Sequence, residues 1–286
     1  MWERLIRQLR AGDCTPFLGA GACSGTLPGA RELSREWADR YDYPFRDFED
    51  LSRVMQFIAV SLRDHVYLKQ LFCESLRSRG IPDFAEPTEP HAMLAGLPLP
   101  VFLTTNYDDF LWRALLAAGK QPRAAICPWY DSKLSIEEYD PTPDRPLIYH
   151  LHGSLQAEES LVLTEDDYVE FVVNVAKDWD NDNRRLLPRP ILAALTQRPL
   201  LFVGYSLHDW NFRVLFHGLL KDIPDIRRRR HVSVQLHPDV DGRDPDAQER
   251  AREYLTRSLE NWQISIFWGT AEEFCAELRS RLGGPA

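Results

Sequence analysis

The chain reads as an α/β protein, a parallel sheet with helices on both faces and a smaller helical lobe inserted. Three observations predict this. Short apolar runs recur with helix-length stretches between them, the pattern of βαβ units. The run Leu200 to Val203 is continuously apolar, as a strand covered on both faces is. Residues 24–98 carry helical periodicity and no clear strand, so they are expected to form the lobe.

In chain order the expected strands are Thr15–Leu18, Pro100–Thr104, Leu147–Leu151, Leu200–Val203 and His231–Leu236, with Trp262–Phe267 a less regular sixth. Phe48, Leu51, Val54, Met55, Ile58 and Leu62 recur at helical spacing. Asp108–Ala118 is rich in helix formers and stops at Gly119, a C-terminal cap residue. Thr164, three residues before Asp167, is placed to cap a helix. Thr270 with Glu273 forms a capping-box pattern before the last helix. Residues 156–198 are expected to extend the lobe, with the polar stretch Asp178–Asn183 as a loop. Residues 1–286 are thus expected to form one domain with insertions at about 24–98 and 156–198.

Composition narrows the function classes. Of 286 residues, 44% are hydrophobic and 27% charged, which excludes disorder and collagen-like repeats for the whole chain. Lys plus Arg is 34 against 43 Asp plus Glu, a net charge of −9, so no direct nucleic-acid binding is expected. The basic run Arg227–Arg230 reads first as a solvated helix end, and otherwise as a contact for a protein partner or an anion. No apolar run reaches the ~18 residues of a membrane span. Met1 to Arg4 leads into no apolar stretch, so no signal peptide is expected. Cysteines stand at 14, 23, 73, 127 and 275, with no Cys-x-x-Cys. That argues for a reducing, cytoplasmic setting and against a disulfide scaffold or a four-cysteine metal site.

Four segments carry chemistry, each directly after an expected strand. Gly19-Ala20-Gly21 follows the first; a strand running into Gly-x-Gly lets backbone N–H groups approach a pyrophosphate at a helix N-terminus. A tight turn with no ligand explains the glycines equally. Thr105-Asn106-Tyr107-Asp108 follows the second. Asn106 can hold a ribose hydroxyl or a water, and Asp108 can accept from a carboxamide; either can instead cap the next helix. His150 and His152 end the third strand, two apart, and share a face if the strand continues that far. His152 is the candidate general base and His150 the structural one. Gly204-Tyr205-Ser206 follows the fourth strand, where Ser206 either lines a ligand path or caps the next helix. Polar groups at the carboxyl ends of parallel strands face one crevice, and the joint pattern is stronger than any one piece.

In this order the segments resemble the sirtuin-like, or silent-information-regulator-two-like, domains. Gly19-Ala20-Gly21 is similar to that family's Gly-Ala-Gly, Thr105 to Asp108 to its Gln-Asn-Ile-Asp, His152-Gly153 to its His-Gly, and Gly204 to Ser206 to its Gly-Thr-Ser. The resemblance implies a Rossmann-like sheet that binds NAD, with the smaller lobe closing over it. It implies that Asn106 positions the nicotinamide ribose or the attacking water and that His152 is the general base. Asp108 would meet the carboxamide, while Gly19, Ala20, Gly21, Thr105, Gly204 and Ser206 would line the remaining path. Two departures matter: the four zinc cysteines of the family's deacetylases are missing, and Thr105 replaces Gln. Thr164 to Tyr168 and Tyr205 to Asn211 look like the bacterial anti-phage branch, which implies hydrolysis of NAD to ADP-ribose and nicotinamide.

The expectation is therefore an NAD hydrolase acting in abortive infection, with NAD as substrate, no zinc and no other metal. Control is expected from self-assembly into a homo-oligomer or from an activating partner such as a hexameric ATPase or a short Argonaute-type protein. The alternatives are an NAD-dependent protein deacylase and a non-catalytic subunit that binds NAD or ADP-ribose.

Overall fold

The computed structural model describes residues 1–134, 136–179, 186–205, 229–240 and 246–283. Ser206, the segment His208–Asn211, and Arg227 and Arg228 lie outside the described residues, as do residues 180–183 of the expected loop.

All the described strands belong to one parallel sheet. They are β1 (Thr15–Leu18), β2 (Val101–Thr104), β3 (Arg123–Ile126), β4 (Leu147–His150), β5 (Leu200–Val203), β6 (His231–Gln235) and β7 (Ile264–Trp268). Their order is β3-β4-β2-β1-β5-β6-β7. The chain therefore builds outward from β1 on one side, then returns to place β5 on its other side. This makes the β1–β5 junction the topological switch point of the sheet.

Alternation along the strands feeds two cores. Phe17, Leu103, Tyr149 and Phe202 point to one face, where α7 (Glu165–Trp179) and α8 (Arg189–Gln197) cover them through Phe171, Val175, Ile191 and Leu195. Leu18, Phe102, Ile148, Leu201 and Val203 point to the other. There they meet α1 (Trp2–Arg10), α5 (Pro90–Ala95), α6 (Phe110–Ala117) and α10 (Ala271–Leu282). Among the described residues the remaining helix beside the sheet is α9 (Ala247–Glu260).

A third core belongs to the helical lobe. Trp37 of α2 (Ala30–Arg40), Met55 and Ile58 of α3 (Leu51–Leu62), and Phe72 of α4 (His65–Arg77) pack together there. Leu155, Leu161 and Leu163 join them from beyond β4, whereas α7 and α8 go to the sheet. At the other end of the inserted stretch, α5 also packs with the sheet, against α6 and α10. Lys69 ties the lobe to the start of α7: its Nζ lies 2.9 Å from Asp167 and over the Trp129 ring.

Element ends follow local chemistry. Asp167 N–H donates to Thr164 Oγ1 at 3.2 Å, and Thr164 N–H donates back to Asp167 Oδ2 at 2.9 Å. Thr270 and Glu273 form the same reciprocal box. The helix containing Leu51 starts later than Phe48, because Asp50 caps it by accepting from Ser52 and Arg53 N–H. β7 starts two residues later than the sequence pattern suggests, since residues 261–263 turn and Gln263 takes a φ of 57°. β3 has no counterpart among the expected strands. It is an edge strand of mixed burial, Arg123 to Ile126, so it lacks the apolar run that marks the central strands. Among the described residues no helix is long and apolar enough to cross a membrane.

His231 illustrates how the sheet uses a polar core residue. Leu200 N–H donates to its Nδ1 at 2.9 Å, and burial, helped by Arg4, pulls its pKa down to about 4. The ring is neutral when folded, while in the unfolded chain it takes a proton below ~6.5. Stability from this group is thus fully present above the unfolded value and declines as pH falls from there toward the folded one. We expect His231 to account for a loss of about 2 kcal/mol by about pH 5. Urea unfolding at neutral and acid pH should show a shallower pH dependence for His231→Gln than for the parent chain.

Candidate active site

The strand register brings the four motif segments to one edge. Leu18 pairs with Thr104 on one side and with Val203 on the other, and Thr104 pairs with His150. The next residues of the four strands, Gly19, Thr105, Leu151 and Gly204, therefore leave the sheet side by side. Thr105 N–H donates to Leu18 O at 3.1 Å and Gly19 N–H to Val203 O at 3.0 Å, which stitches the segments together.

The glycines meet backbone, not open space. A Cβ on Gly204, whose φ is +66°, would lie 2.0 Å from Ala22 N. A Cβ on Gly19 would lie 2.7 Å from Gly204 O, and one on Gly21 2.8 Å from Gly204 Cα. The amides of Gly19, Gly21 and Ala22 donate to Val203, Gly204 and Gly19 carbonyls. These donors are therefore directed into the protein. Nor does a helix start here: a short 3-10 turn, Ala20–Cys23, follows β1, and α2 begins at Ala30. The expected helix N-terminus at the glycines is thus replaced by a turn locked onto β5, with Ala20 exposed at its tip.

Asn106 sits at the centre of this edge, 9% exposed. Its Nδ2 donates to Gly19 O at 3.1 Å and lies 3.2 Å from Cys23 Sγ. Its backbone N–H is held by Thr104 Oγ1 at 2.9 Å, and its carbonyl lies 3.1 Å from His150 Nδ1. The amide plane is thereby fixed, and among the described residues its Oδ1 has no donor. Thr105 is partly buried, with its hydroxyl 3.4 Å from Leu18 O. Asp108 turns inward: Oδ1 accepts from Phe110 N–H at 3.0 Å, starting α6 late, and Oδ2 accepts from the Cys23 thiol at 3.3 Å.

The two histidines part company. β4 ends at His150, and the chain bends, so the shared strand face does not extend to His152. His150 lies against Asn106 O and near Asp108, and burial lowers its pKa although those groups oppose the shift. His152 packs edge-on against Tyr168 and Phe171 of α7. Burial alone takes its pKa to about 4, so its ring is neutral at working pH. No hydrogen bond holds that ring among the described residues.

Three contributors were not singled out from the sequence. Tyr107 O–H donates to Val162 O at 2.7 Å and its ring meets Phe72, tying the Asn106 segment to the lobe. Cys23 and His91 stand beside Asp108, with His91 Nε2 3.9 Å from Cys23 Sγ. The available signal was Glu89-Pro90, an acidic cap followed by proline at the first helical position. The chain does not fit a four-cysteine zinc site: all five cysteines are buried outside any disulfide, and among the described residues the one cluster of possible ligands holds a single cysteine, Cys23.

A seven-stranded parallel sheet with helices on both faces and its topological switch point between β1 and β5 defines a Rossmann-like α/β protein. The family model of the SIR2-like domain matches residues 100–267, more than half of the chain, and the chain belongs to that family. It is similar to the NAD(+) hydrolase ThsA of Cytobacillus dafuensis, 26% identical over 212 residues, which cover 72% of this chain and 38% of that protein. The NAD(+) hydrolase ThsA of Enterococcus faecium is 28% identical over 179 residues, covering 60% of this chain and 34% of that protein. Defense-associated sirtuin 2 of Bacillus subtilis is 28% identical over 142 residues, 48% of this chain and 12% of that protein. The chain spans less than half the length of each of these relatives.

The glycine packing yields a direct test. Gly204→Ala combines a left-handed backbone with a clash into backbone, and should destabilise the fold by at least about 3 kcal/mol. Gly25→Ala, at φ +83° with nothing within 4 Å, supplies the conformational penalty alone and should cost about 1 kcal/mol. Urea midpoints of the two variants compare them.

Proposed function

We propose that this chain hydrolyses NAD to ADP-ribose and nicotinamide, and that it does so as an effector of anti-phage defence. One observation supports the reading: the segments that carry Asn106, His152 and the strand-end glycines follow adjacent strands at the switch-point edge of a SIR2-like sheet. The names of the relatives support the same activity.

The reaction is NAD plus water giving ADP-ribose, nicotinamide and a proton. The bond from ribose C1′ to the nicotinamide nitrogen breaks through an oxocarbenium-like state, and water then attacks C1′. Holding the water and the ribose in place supplies much of the acceleration. Asn106 suits that task, because its amide is fixed and its Oδ1 is left to accept from a hydroxyl or water. His152 is the proposed base. Burial keeps it neutral and therefore able to take a proton, and a polar substrate against the ring restores part of the basicity that burial removes. Gly19, Ala20, Gly21, Thr105, Gly204 and Ser206 are proposed along the ribose and phosphate path. A carboxamide contact at Asp108 would displace the Cys23 thiol that now donates to it.

The setting is proposed to be the reducing cytoplasm, which matches five cysteines outside any disulfide. Control is proposed to come from a homo-oligomer or an activating protein partner. Exposed Phe45, Val60, Val66 and Tyr67 on the lobe offer apolar surface for such contacts.

Nicotinamide release from NAD should be measurable with the purified chain, alone and with its genomic neighbours' products. Asn106→Ala and His152→Ala should each lower kcat by about 100-fold or more. NAD bound without turnover under every condition would favour the binding-subunit reading. A requirement for an acylated peptide would favour the deacylase. In the hydrolase, kcat/KM should be flat across neutral pH and fall as pH drops through the His152 value of about 4. A fall already complete near neutral pH would remove His152 as the base.

A further inference from the structure

The geometry points to a divalent-metal site of zinc type made by Cys23 Sγ, His91 Nε2 and Asp108 Oδ2, with Glu89 holding His91 from behind. The ligands come from three elements: the turn after β1, the start of α5 and the loop after β2. Their ligand atoms all lie within 4.8 Å of one another. Cys23 Sγ is 3.3 Å from Asp108 Oδ2 and 3.9 Å from His91 Nε2. Tetrahedral zinc with ordinary bond lengths places such atoms about 3.5 Å apart. The two Cys23 separations bracket that edge, and the third, between His91 and Asp108, is within 4.8 Å.

Two further features point the same way. Glu89 Oε1 lies 2.6 Å from His91 Nδ1. A proton on Nδ1 donated to that carboxylate leaves the Nε2 lone pair facing Cys23 and Asp108, the outer-sphere arrangement common to metal-bound histidines. The other Glu89 oxygen accepts from Ala92 N–H at 2.6 Å, so the carboxylate is itself fixed. Charge is the second feature. Glu89 and Asp108 are 8% and 9% exposed, and among the described residues neither pairs with Lys or Arg. Burying carboxylates away from Lys and Arg is costly; among the described residues Glu89 has His91 as its partner and Asp108 the Cys23 thiol, and a doubly charged ion offsets that burial.

Binding breaks the Cys23 S–H bond, releases that proton to solvent, and forms metal–sulfur, metal–nitrogen and metal–oxygen bonds with no change of oxidation state. The thiol needs the ion for this: burial and Asp108 hold its pKa well above the ordinary value. A thiolate, imidazole and carboxylate set suits zinc, with a fourth position left for water. The ion would clamp the glycine turn to α5 and to the Asn106 segment, since Asn106 Nδ2 is 3.2 Å from the same Sγ. This revises the sequence expectation of a metal-free chain. It rests on distances and charge, and it gives Asp108 Oδ2 to the ion in place of the carboxamide contact proposed above.

The test uses the whole purified chain and two probes, zinc and cobalt(II). Elemental analysis after growth with added zinc should find about one zinc per chain. Chelator-stripped protein titrated with cobalt(II) should develop thiolate-to-cobalt charge-transfer absorption and tetrahedral d–d bands. Cys23→Ser should abolish the charge-transfer band, Glu89→Gln should weaken affinity by about 10- to 100-fold, and Cys73→Ser should leave both unchanged. Zinc well below stoichiometry together with no thiolate band in the parent chain would overturn the site, as would a band that survives in Cys23→Ser. The parent-chain titration decides the matter even if a variant fails to fold. Neither probe reads NAD turnover, so failure of this site and failure of the hydrolase reading are separate results.

Discussion

The edge of the sheet depends on one close approach, the backbone of Gly19–Ala22 lying directly on the backbone of Gly204. No side chain fits between them: a Cβ on any of the three glycines would come within 3 Å of protein backbone. This contact closes the switch point between β1 and β5. It also places Gly19 O where Asn106 donates to it. The position of the central amide therefore follows from glycine packing between strands far apart in the chain.

The same economy of space runs through the rest of the edge. Residues 104–108 each have a different mechanical duty: Thr104 holds the Asn106 amide, Thr105 pairs with β1, Tyr107 reaches the lobe, and Asp108 starts α6. Such a segment has little freedom to drift, and a preorganised polar group is what positioning chemistry needs. The His152 ring is held differently, edge-on against Tyr168 and Phe171 and, among the described residues, with no hydrogen bond. Its low pKa follows from that choice of neighbours. The lobe meets the edge through Tyr107, whose ring packs on Phe72, and it meets the start of α7 through Lys69.

Much of the architecture was legible because central parallel strands are covered on both faces and must be continuously apolar. β5 appears at the expected place for that reason, and β1, β2, β4 and β6 do so with a few polar residues buried among the apolar ones. The capping residues Thr164 and Thr270 were legible because a helix N-terminus has unpaired N–H groups that a nearby side chain must meet. β3 was not legible, since an edge strand can carry Arg123 and two alanines without penalty. Burial of His91 and Glu89 was equally hidden, because their environment is supplied by Cys23 and Asp108 from other elements.

By itself the sequence determined the fold class, the strand order of the four motif segments along the chain, and the residue types available at their ends. These are local properties, set by periodicity, apolarity and the glycines. Tertiary structure alone decided which partners those residues have. It turned the amides of Gly19 and Gly21 inward, separated His150 from His152 by ending β4, and drew the ligand atoms of Cys23, His91 and Asp108 to within 4.8 Å of one another. The reason is physical: local pattern fixes what a residue can do, while burial, register and close approach between distant segments fix what it meets.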